Sequence, residues 1–254
     1  MWRVLKSRSQ LKRTYTLAYP HGPAPELPEK FMGRPVFGAT CPDGCHACVS
    51  MCPTGALEIK NGLPTLDMGH CLFCGACQDV CPSKTLCFSR DYALAAAART
   101  DLCVTSETKT AASASSATAQ KYFRRSFKLR QVSAGGCNAC EADSNVLGTP
   151  AWDFGRFGIQ FVASPRHADA LLVTGPVTQN MKVALLKTYE ALPSPCVVIA
   201  CGSCAISGGA YSGHQEVCDG VDKLIPVDLY IPGCPPHPLT ILNGLLRLLG
   251  YSAP

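Results

Sequence analysis

The sequence predicts two units of different class: an α+β unit built on a duplicated cysteine motif and, behind it, an α/β unit with a parallel sheet. Three observations predict this. Cysteines of the first half recur in two runs at a constant offset, and the second half alternates short apolar runs with a helical period. Between them lies a stretch dominated by Ser, Thr and Ala. With 254 residues, 17 of them Cys, the chain is long enough for one large domain or two modest ones.

The first unit is defined by Cys41-x3-Cys45-x2-Cys48-x3-Cys52-Pro53 and Cys71-x2-Cys74-x2-Cys77-x3-Cys81-Pro82. Cys45, Cys48, Cys52, Pro53 and Leu57 recur 29 residues later as Cys74, Cys77, Cys81, Pro82 and Leu86, which marks an internal repeat. A C-x2-C pair sets two thiolates on one tight turn, while the last cysteine of each run, followed by Pro, points toward the neighbouring site. The expected assignment is therefore crossed. Cys41, Cys45, Cys48 and Cys81 are expected to hold one 4Fe-4S cluster, and Cys71, Cys74, Cys77 and Cys52 a second. Cys41-x3-Cys45 is one residue longer than the usual spacing, which leaves the placing of Cys41 open. Zinc ribbons use similar C-x2-C pieces, but the Cys-Pro endings and the constant offset favour iron–sulfur chemistry.

Around this module the chain divides into four segments. Residues 1–38 are a basic arm followed by a Pro/Gly-rich run, too interrupted for helix and expected to lie extended across a surface. Arg3, Lys6, Arg8, Lys12 and Arg13 make the arm either a solvated face or a contact for anionic headgroups or an acidic subunit. Residues 39–92 are the cysteine module. Residues 93–121 open with a helix-favouring run, Ala93 to Arg99, and continue as a Ser/Thr/Ala linker with too little hydrophobicity to pack. Residues 122–254 read as strands at Phe127–Val132, Ile159–Val162, Ala170–Val173 and Cys196–Ala200, with a helix over Asn180–Leu192. Such an alternation implies βαβ units and a parallel sheet.

The second half carries a dispersed cysteine set: Gly136-Cys137-x2-Cys140-Glu141, then Gly202-Ser203-Cys204, then Pro232-Gly-Cys234-Pro-Pro236. Open α/β sheets place ligands at the carboxyl ends of their strands, so motifs nearly a hundred residues apart can converge there. Cys137, Cys140, Cys204 and Cys234 are expected to hold a third 4Fe-4S cluster, since four-cysteine zinc sites usually come as two close pairs. Cys201 is read as a thiol beside that site, and Cys87, Cys103, Cys196 and Cys218 as ordinary thiols. Glu141 has two readings, as a possible proton relay or as an acceptor in the first turn of a helix. Arg166 and His167 read as a surface or interface pair rather than as proton or quinone chemistry.

Composition excludes several classes. So many cysteines with no apolar signal-peptide core point to a reduced cytoplasm, where such clusters mean metal or catalysis. The only Arg-Arg pair, Arg124-Arg125, is internal. No stretch reaches the ~18 apolar residues of a membrane span; the nearest, Leu239–Gly250, is broken by Asn243 and Arg247. A net charge of +5 does not argue for nucleic acid. There is no dinucleotide fingerprint and no P-loop, so flavin or nicotinamide chemistry belongs elsewhere.

The first half, from the basic arm through Gly33-Arg-Pro35 and Gly69-His-Cys-Leu-Phe-Cys-Gly75 to Tyr92, resembles the two-cluster ferredoxin subunits of formate hydrogenlyase and respiratory complex I. The second, from Phe127 to Leu249, resembles the small subunit of membrane-bound group 4 NiFe hydrogenases and the 20 kDa cluster subunit of complex I. Val162–Val177 and Ile225–Pro236 carry this second resemblance together with the cysteine motifs. It implies an α+β two-cluster ferredoxin-like domain followed by an α/β flavodoxin-like domain, with the Cys137 set nearest a catalytic partner. The complex I subunit has adjacent cysteines where this chain has Cys137-Asn-Ala-Cys140, which favours the hydrogenase side, although Ala139 stands where Gly is usual.

The expected function is thus electron transfer through three 4Fe-4S clusters to or from a hydrogenase-like large subunit. Membrane-embedded complex I-like subunits and an upstream donor module or ferredoxin are the other expected partners. The expected location is the cytoplasmic face of the inner membrane, held peripherally. The alternatives are the same relay in a quinone-reducing or nickel-free relative, or a free ferredoxin-like carrier.

Overall fold

Duplication in the sequence becomes pseudo-symmetry in the structure. The computed structural model describes residues 2–3, 15–38, 41, 44–60, 63–108 and 112–252. Each cysteine run ends in a short helix, α1 (Ala47–Met51) or α2 (Ala76–Asp79), that is followed by a strand. β1 (Pro35–Phe37) pairs antiparallel with β4 (Leu86–Phe88), and β2 (Leu57–Lys60) with β3 (Leu63–Asp67). A further strand, β5 (Cys103–Thr105), adds to β3, so the first unit's sheet continues past residue 92.

The second half is a five-stranded parallel sheet in the order β10-β9-β8-β6-β7. Its strands are β6 (Phe127–Ser133), β7 (Ile159–Phe161), β8 (Ala170–Thr174), β9 (Val197–Cys201) and β10 (Leu229–Ile231). All five residues of both β8 and β9 are buried, as two-sided coverage requires. The helices are α3 (Ala117–Tyr122), α4 (Ala139–Val146), α5 (Gln179–Glu190), α6 (Ser203–Ser207) and α7 (Pro238–Leu248). The parallel sheet and the α5 helix lie where periodicity places them. β10 carries too little pattern to be seen in sequence, being only Leu-Tyr-Ile between Asp228 and Pro232. The apolar stretch at residues 239–250 is mostly α7, a core helix whose Leu239, Leu242, Leu245, Leu246 and Leu248 are buried, each contributing about 1.5–3 kcal/mol. Among the described residues no helix is long and apolar enough to cross a membrane.

Two expectations are corrected. The run from Ala93 is not helical. Ala96 forms an antiparallel bridge with Tyr230, its N–H and carbonyl both bonded to that residue at 3.0 and 2.8 Å. β10 is the sheet edge, and an extended segment can satisfy its free polar groups where a helix cannot. Ala is also small enough for the contact: a side chain on Gly244 of α7 would already lie 2.9 Å from the Ala95 Cβ. Nor does the linker fail to pack. Ser116 caps α3 by accepting from the Ala119 N–H at 3.3 Å, Ala114 and Ala119 are buried, and Arg247 donates to the Ala112 carbonyl.

The halves share one apolar core in which Leu66, Met68, Leu102 and Val104 join Ile206, Val221, Ile225 and Tyr230. The Pro/Gly-rich segment is non-helical, with hydrogen-bonded turns closed by Gly22 on Ala18 and by Phe31 on Pro28, and the chain leading into it lies against the second half. Leu17 donates to Ala151, Arg156 to the Tyr19 carbonyl, and Asn243 Nδ2 to the buried Tyr19 hydroxyl at 2.7 Å. It then enters the first unit through Gly33 and Arg34, which donate to Ser89 and Asp91. Of the basic arm, Lys6, Arg8, Lys12 and Arg13 lie outside the described residues.

Arg99 fastens the connection to the first unit. Its guanidinium grips Asp67 with two bonds, 2.8 and 2.6 Å, and lies over Gly69, where any side chain would meet it at 2.7 Å. Burial pushes the Asp67 carboxyl up, but bonds from His70, Arg99 and the Gly69 N–H outweigh it and hold the group well below the usual carboxylate range. A depressed acid contributes stability above its unfolded pKa, near 3.9, and that contribution fades as pH falls through the folded value. Arg99→Ala should therefore lower unfolding stability by about 1–3 kcal/mol at neutral pH, measured by chemical denaturation. The difference from wild type should shrink below about pH 4.

Candidate metal centres

The carboxyl edge of the parallel sheet positions the dispersed cysteines. Cys137 and Cys140 follow β6, Cys204 sits in α6 after β9, and Cys234 follows β10. β6 and β9 flank β8 and β10 lies beyond β9, beside the point where strand order reverses between β6 and β8, so loops distant in sequence become neighbours. The Cys140 thiol is pushed far up by burial and then by the neighbouring sulfurs of Cys201, Cys204 and Cys234. Burial and the sulfurs of Cys234 and Cys137 push Cys204 up to about 11. All four expected residues are thus in one group. Cys137 and Cys234 are exposed and Cys140 is buried, so the group opens on one side.

Cys201, at the end of β9, is a fifth thiol beside this group. It is fully buried, pushed up to about 12 by burial against a hydrogen bond with Ser144. Glu141 is buried and accepts from the Thr174 hydroxyl, at the end of β8, at 2.7 Å. That bond ties the first turn of α4 to the sheet. Arg166 and His167 lie exposed on a 3-10 turn, as a surface pair.

Cys52, Cys71, Cys74 and Cys77 line a single cavity with Pro53, Gly75 and Phe88. The crossed member, Cys52, accepts from the Ala56 N–H at 3.2 Å, and Cys71 from the Phe73 N–H at 3.3 Å. Burial, then the nearby sulfurs of Cys52 and Cys74, push Cys77 up to about 11; burial takes Cys71 to about 12. At the other end of the module Cys48 is raised by burial and by the sulfurs of Cys41 and Cys81. Thr85 Oγ1 lies 3.6 Å from Cys41 Sγ and 3.3 Å from Cys81 Sγ, joining the residue of irregular spacing to the crossed one. For Cys81, burial is outweighed by bonds with Thr85, the Leu86 N–H and Ser83, which bring the thiol down to about 7. Cys45 stands two residues before α1. Cys87 and Cys103 are exposed, and Cys196 and Cys218 half-buried.

Among the described residues no three His, Cys, Asp or Glu side chains converge closely enough to hold one metal ion. Cys52, Cys71, Cys74 and Cys77 line a cavity between them, which leaves room for a polynuclear cluster. The buried thiols of Cys77 and Cys71, raised to about 11 and 12, need a strong cation to ionise, and iron in a cluster would supply one. The donor sets therefore fit iron–sulfur clusters.

The second and third groups touch through α6. Ser203, next to Cys204, donates from Oγ to the Cys71 carbonyl at 2.6 Å, and Ser207 to the Gly69 carbonyl at 2.8 Å. Both serines are buried. In sequence Ser203 is visible only as part of a cysteine motif, because nothing there says which loop faces it.

Two family models match separate stretches. One is the 4Fe-4S dicluster domain, over residues 40–85; the other is the 20 Kd subunit of NADH ubiquinone oxidoreductase, over residues 137–248. Formate hydrogenlyase subunit 7 of Escherichia coli is 45% identical over 130 residues, 51% of each chain. A probable membrane-bound hydrogenase subunit of Pyrococcus furiosus is 42% identical over 51% of this chain and 77% of its own. An NADH-quinone oxidoreductase subunit of Phocaeicola vulgatus is 44% identical over 44% of this chain and 57% of its own. The chain thus spans about half the length of the formate hydrogenlyase subunit it matches.

Gly202 makes the third group possible. Its φ is +93°, and a Cβ there would lie 2.6 Å from Cys140 Sγ. Gly202→Ala is expected to lose one cluster's iron, about four atoms per chain, by iron assay, while the first unit keeps its own. Thr85→Val should leave iron content unchanged but make one cluster's midpoint potential more negative in a redox titration, since a hydrogen bond to sulfur stabilises the reduced form.

Proposed function

The chain belongs to the family of the 20 Kd subunit of NADH ubiquinone oxidoreductase, and from that premise we propose that it is the electron-transfer subunit of a membrane-associated, complex I-like NiFe hydrogenase. The enzyme would be of the formate hydrogenlyase or energy-converting type. Cys41, Cys45, Cys48 and Cys81 would hold the first 4Fe-4S cluster; Cys71, Cys74, Cys77 and Cys52 the second; Cys137, Cys140, Cys204 and Cys234 the third. When bound, the clusters supply one-electron relay with little reorganisation. The chain itself sets the order of the sites, buries their inner thiols and leaves the Cys137–Cys234 side open toward a separate large subunit. On this reading the units are a ferredoxin-like domain extending through Thr105 and a cluster-binding α/β domain from about residue 122, joined by a packed connector.

The observation that carries the proposal is the direct contact between the second and third cysteine groups through α6. A free carrier would need no such continuity with an α/β domain whose remaining open thiols face outward. The remaining partners proposed are membrane-embedded complex I-like subunits and an upstream donor module or ferredoxin, with the chain peripheral on the cytoplasmic face of the inner membrane.

A second reading has support in the NADH-quinone oxidoreductase relatives: the same relay serving a quinone-reducing or nickel-free complex. The Cys137-x2-Cys140 spacing favours the hydrogenase. Affinity purification from membranes, with metal analysis, decides between them. The hydrogenase reading expects about twelve iron atoms in this chain and nickel in a co-purifying large subunit with two C-x2-C pairs. A large subunit without those pairs and without nickel would favour the second reading, and a lone chain in the soluble fraction the free carrier.

A further inference from the structure

Ser203 and Ser207 lie four residues apart on α6, hence on one face, and both reach the loop at Gly69–Cys71. The Gly233 carbonyl, beside Cys234, lies within 3.1 Å of the Ser203 hydroxyl but already receives the Ser203 backbone N–H at 2.8 Å. The single hydroxyl proton is therefore available to the Cys71 carbonyl, the shorter contact at 2.6 Å. Ser203 thereby links three loops: Cys71 by its side chain, Cys234 through the Gly233 carbonyl, and Cys204 by the next peptide bond. Ser207 fixes the Gly69 carbonyl two residues before Cys71, and Arg99 covers that glycine on its other side.

Elsewhere the two loops are less closely joined. Leu72, Phe73, Gly233 and Cys234 line an open cleft between the halves. The bonded route from Cys71 to Cys204 crosses one short hydrogen bond and is covalent in the rest of its length. A buried hydroxyl at this place, with both serines 3% exposed or less, has no solvent role.

We infer that Ser203, supported by Ser207, is the positioning residue for electron exchange between the Cys71 and Cys204 ligand sets. This inference rests on the three-cluster reading above. One electron would pass between the clusters that these two sets would hold, one being oxidised as the other is reduced; no bond or proton changes place. A low-potential one-electron donor upstream supplies it.

The test uses the full chain in its complex, prepared anaerobically as wild type, Ser203→Ala, Ser203→Thr and Ser207→Ala. Iron content, cluster midpoint potentials, magnetic interaction between paramagnetic signals under dithionite, and photoreductant-triggered exchange rates are measured. With iron and potentials unchanged, Ser203→Ala should weaken the interaction and slow exchange about tenfold, and Ser203→Thr should restore both. Unchanged interaction and rate in an iron-replete Ser203→Ala would overturn the inference and leave the three-cluster reading standing. If Ser203→Ala sheds iron, Ser207→Ala decides: slower exchange with full iron supports the role, and an unchanged rate overturns it. A wild-type chain lacking the third cluster would overturn both readings together.

Discussion

Burying sulfur anions is the constraint on which the rest of this structure depends. A thiolate taken from water loses its solvation, and burial is the largest influence on Cys71, Cys77, Cys140 and Cys204, all pushed up. Such groups stay neutral at physiological pH unless a cation or strong donors offset the cost. The chain supplies donors locally: amide N–H groups at Cys52 and Cys71, and hydroxyls at Cys81. The residual demand fits a metal cluster. The contrast with Cys81, brought down to about 7 at a more exposed position, shows burial and hydrogen bonding acting in opposition within one module.

Convergence has a topological cause. The tandem module gathers its sulfurs through a local repeat, with one residue of each run crossing to the other group. The dispersed group needs the parallel sheet, because only its carboxyl edge brings the loops after β6, β9 and β10 together. What joins the two solutions is α6, a helix of five residues with Cys204 in its first turn and two serines gripping the neighbouring loop. The strap at Tyr19 and the bridge at Ala96, both buried, add further contacts between the halves. A structure with separable halves would need neither.

Periodicity and spacing made much of this legible before any coordinates. Constant offset exposed the repeat, and four β-branched or leucine-rich runs exposed β6 to β9. The missed features share a physical reason. The Ala93 run has strong helical propensity, but pairing with the β10 edge overrode it. The Ser/Thr/Ala linker has too little hydrophobicity for its sequence to predict packing, but Ala114 and Ala119 are small residues buried in one cluster with the leucines of α7. Ser203, Ser207, Thr85 and Arg99 are polar residues whose importance depends on what faces them. Only tertiary structure supplies that. Cys41 is the converse case: its irregular spacing raised a doubt, and Thr85 brings it to Cys81.

The central claim is that twelve cysteines form three iron sites in series across one seam. Anomalous diffraction from anaerobically grown crystals, recorded at the iron and zinc absorption edges, tests it most directly. Three compact iron peaks are predicted, one within each cysteine group, with the second and third on either side of Ser203 and no zinc signal. Two iron peaks confined to the first unit, or a zinc peak among Cys137, Cys140, Cys204 and Cys234, would contradict the account.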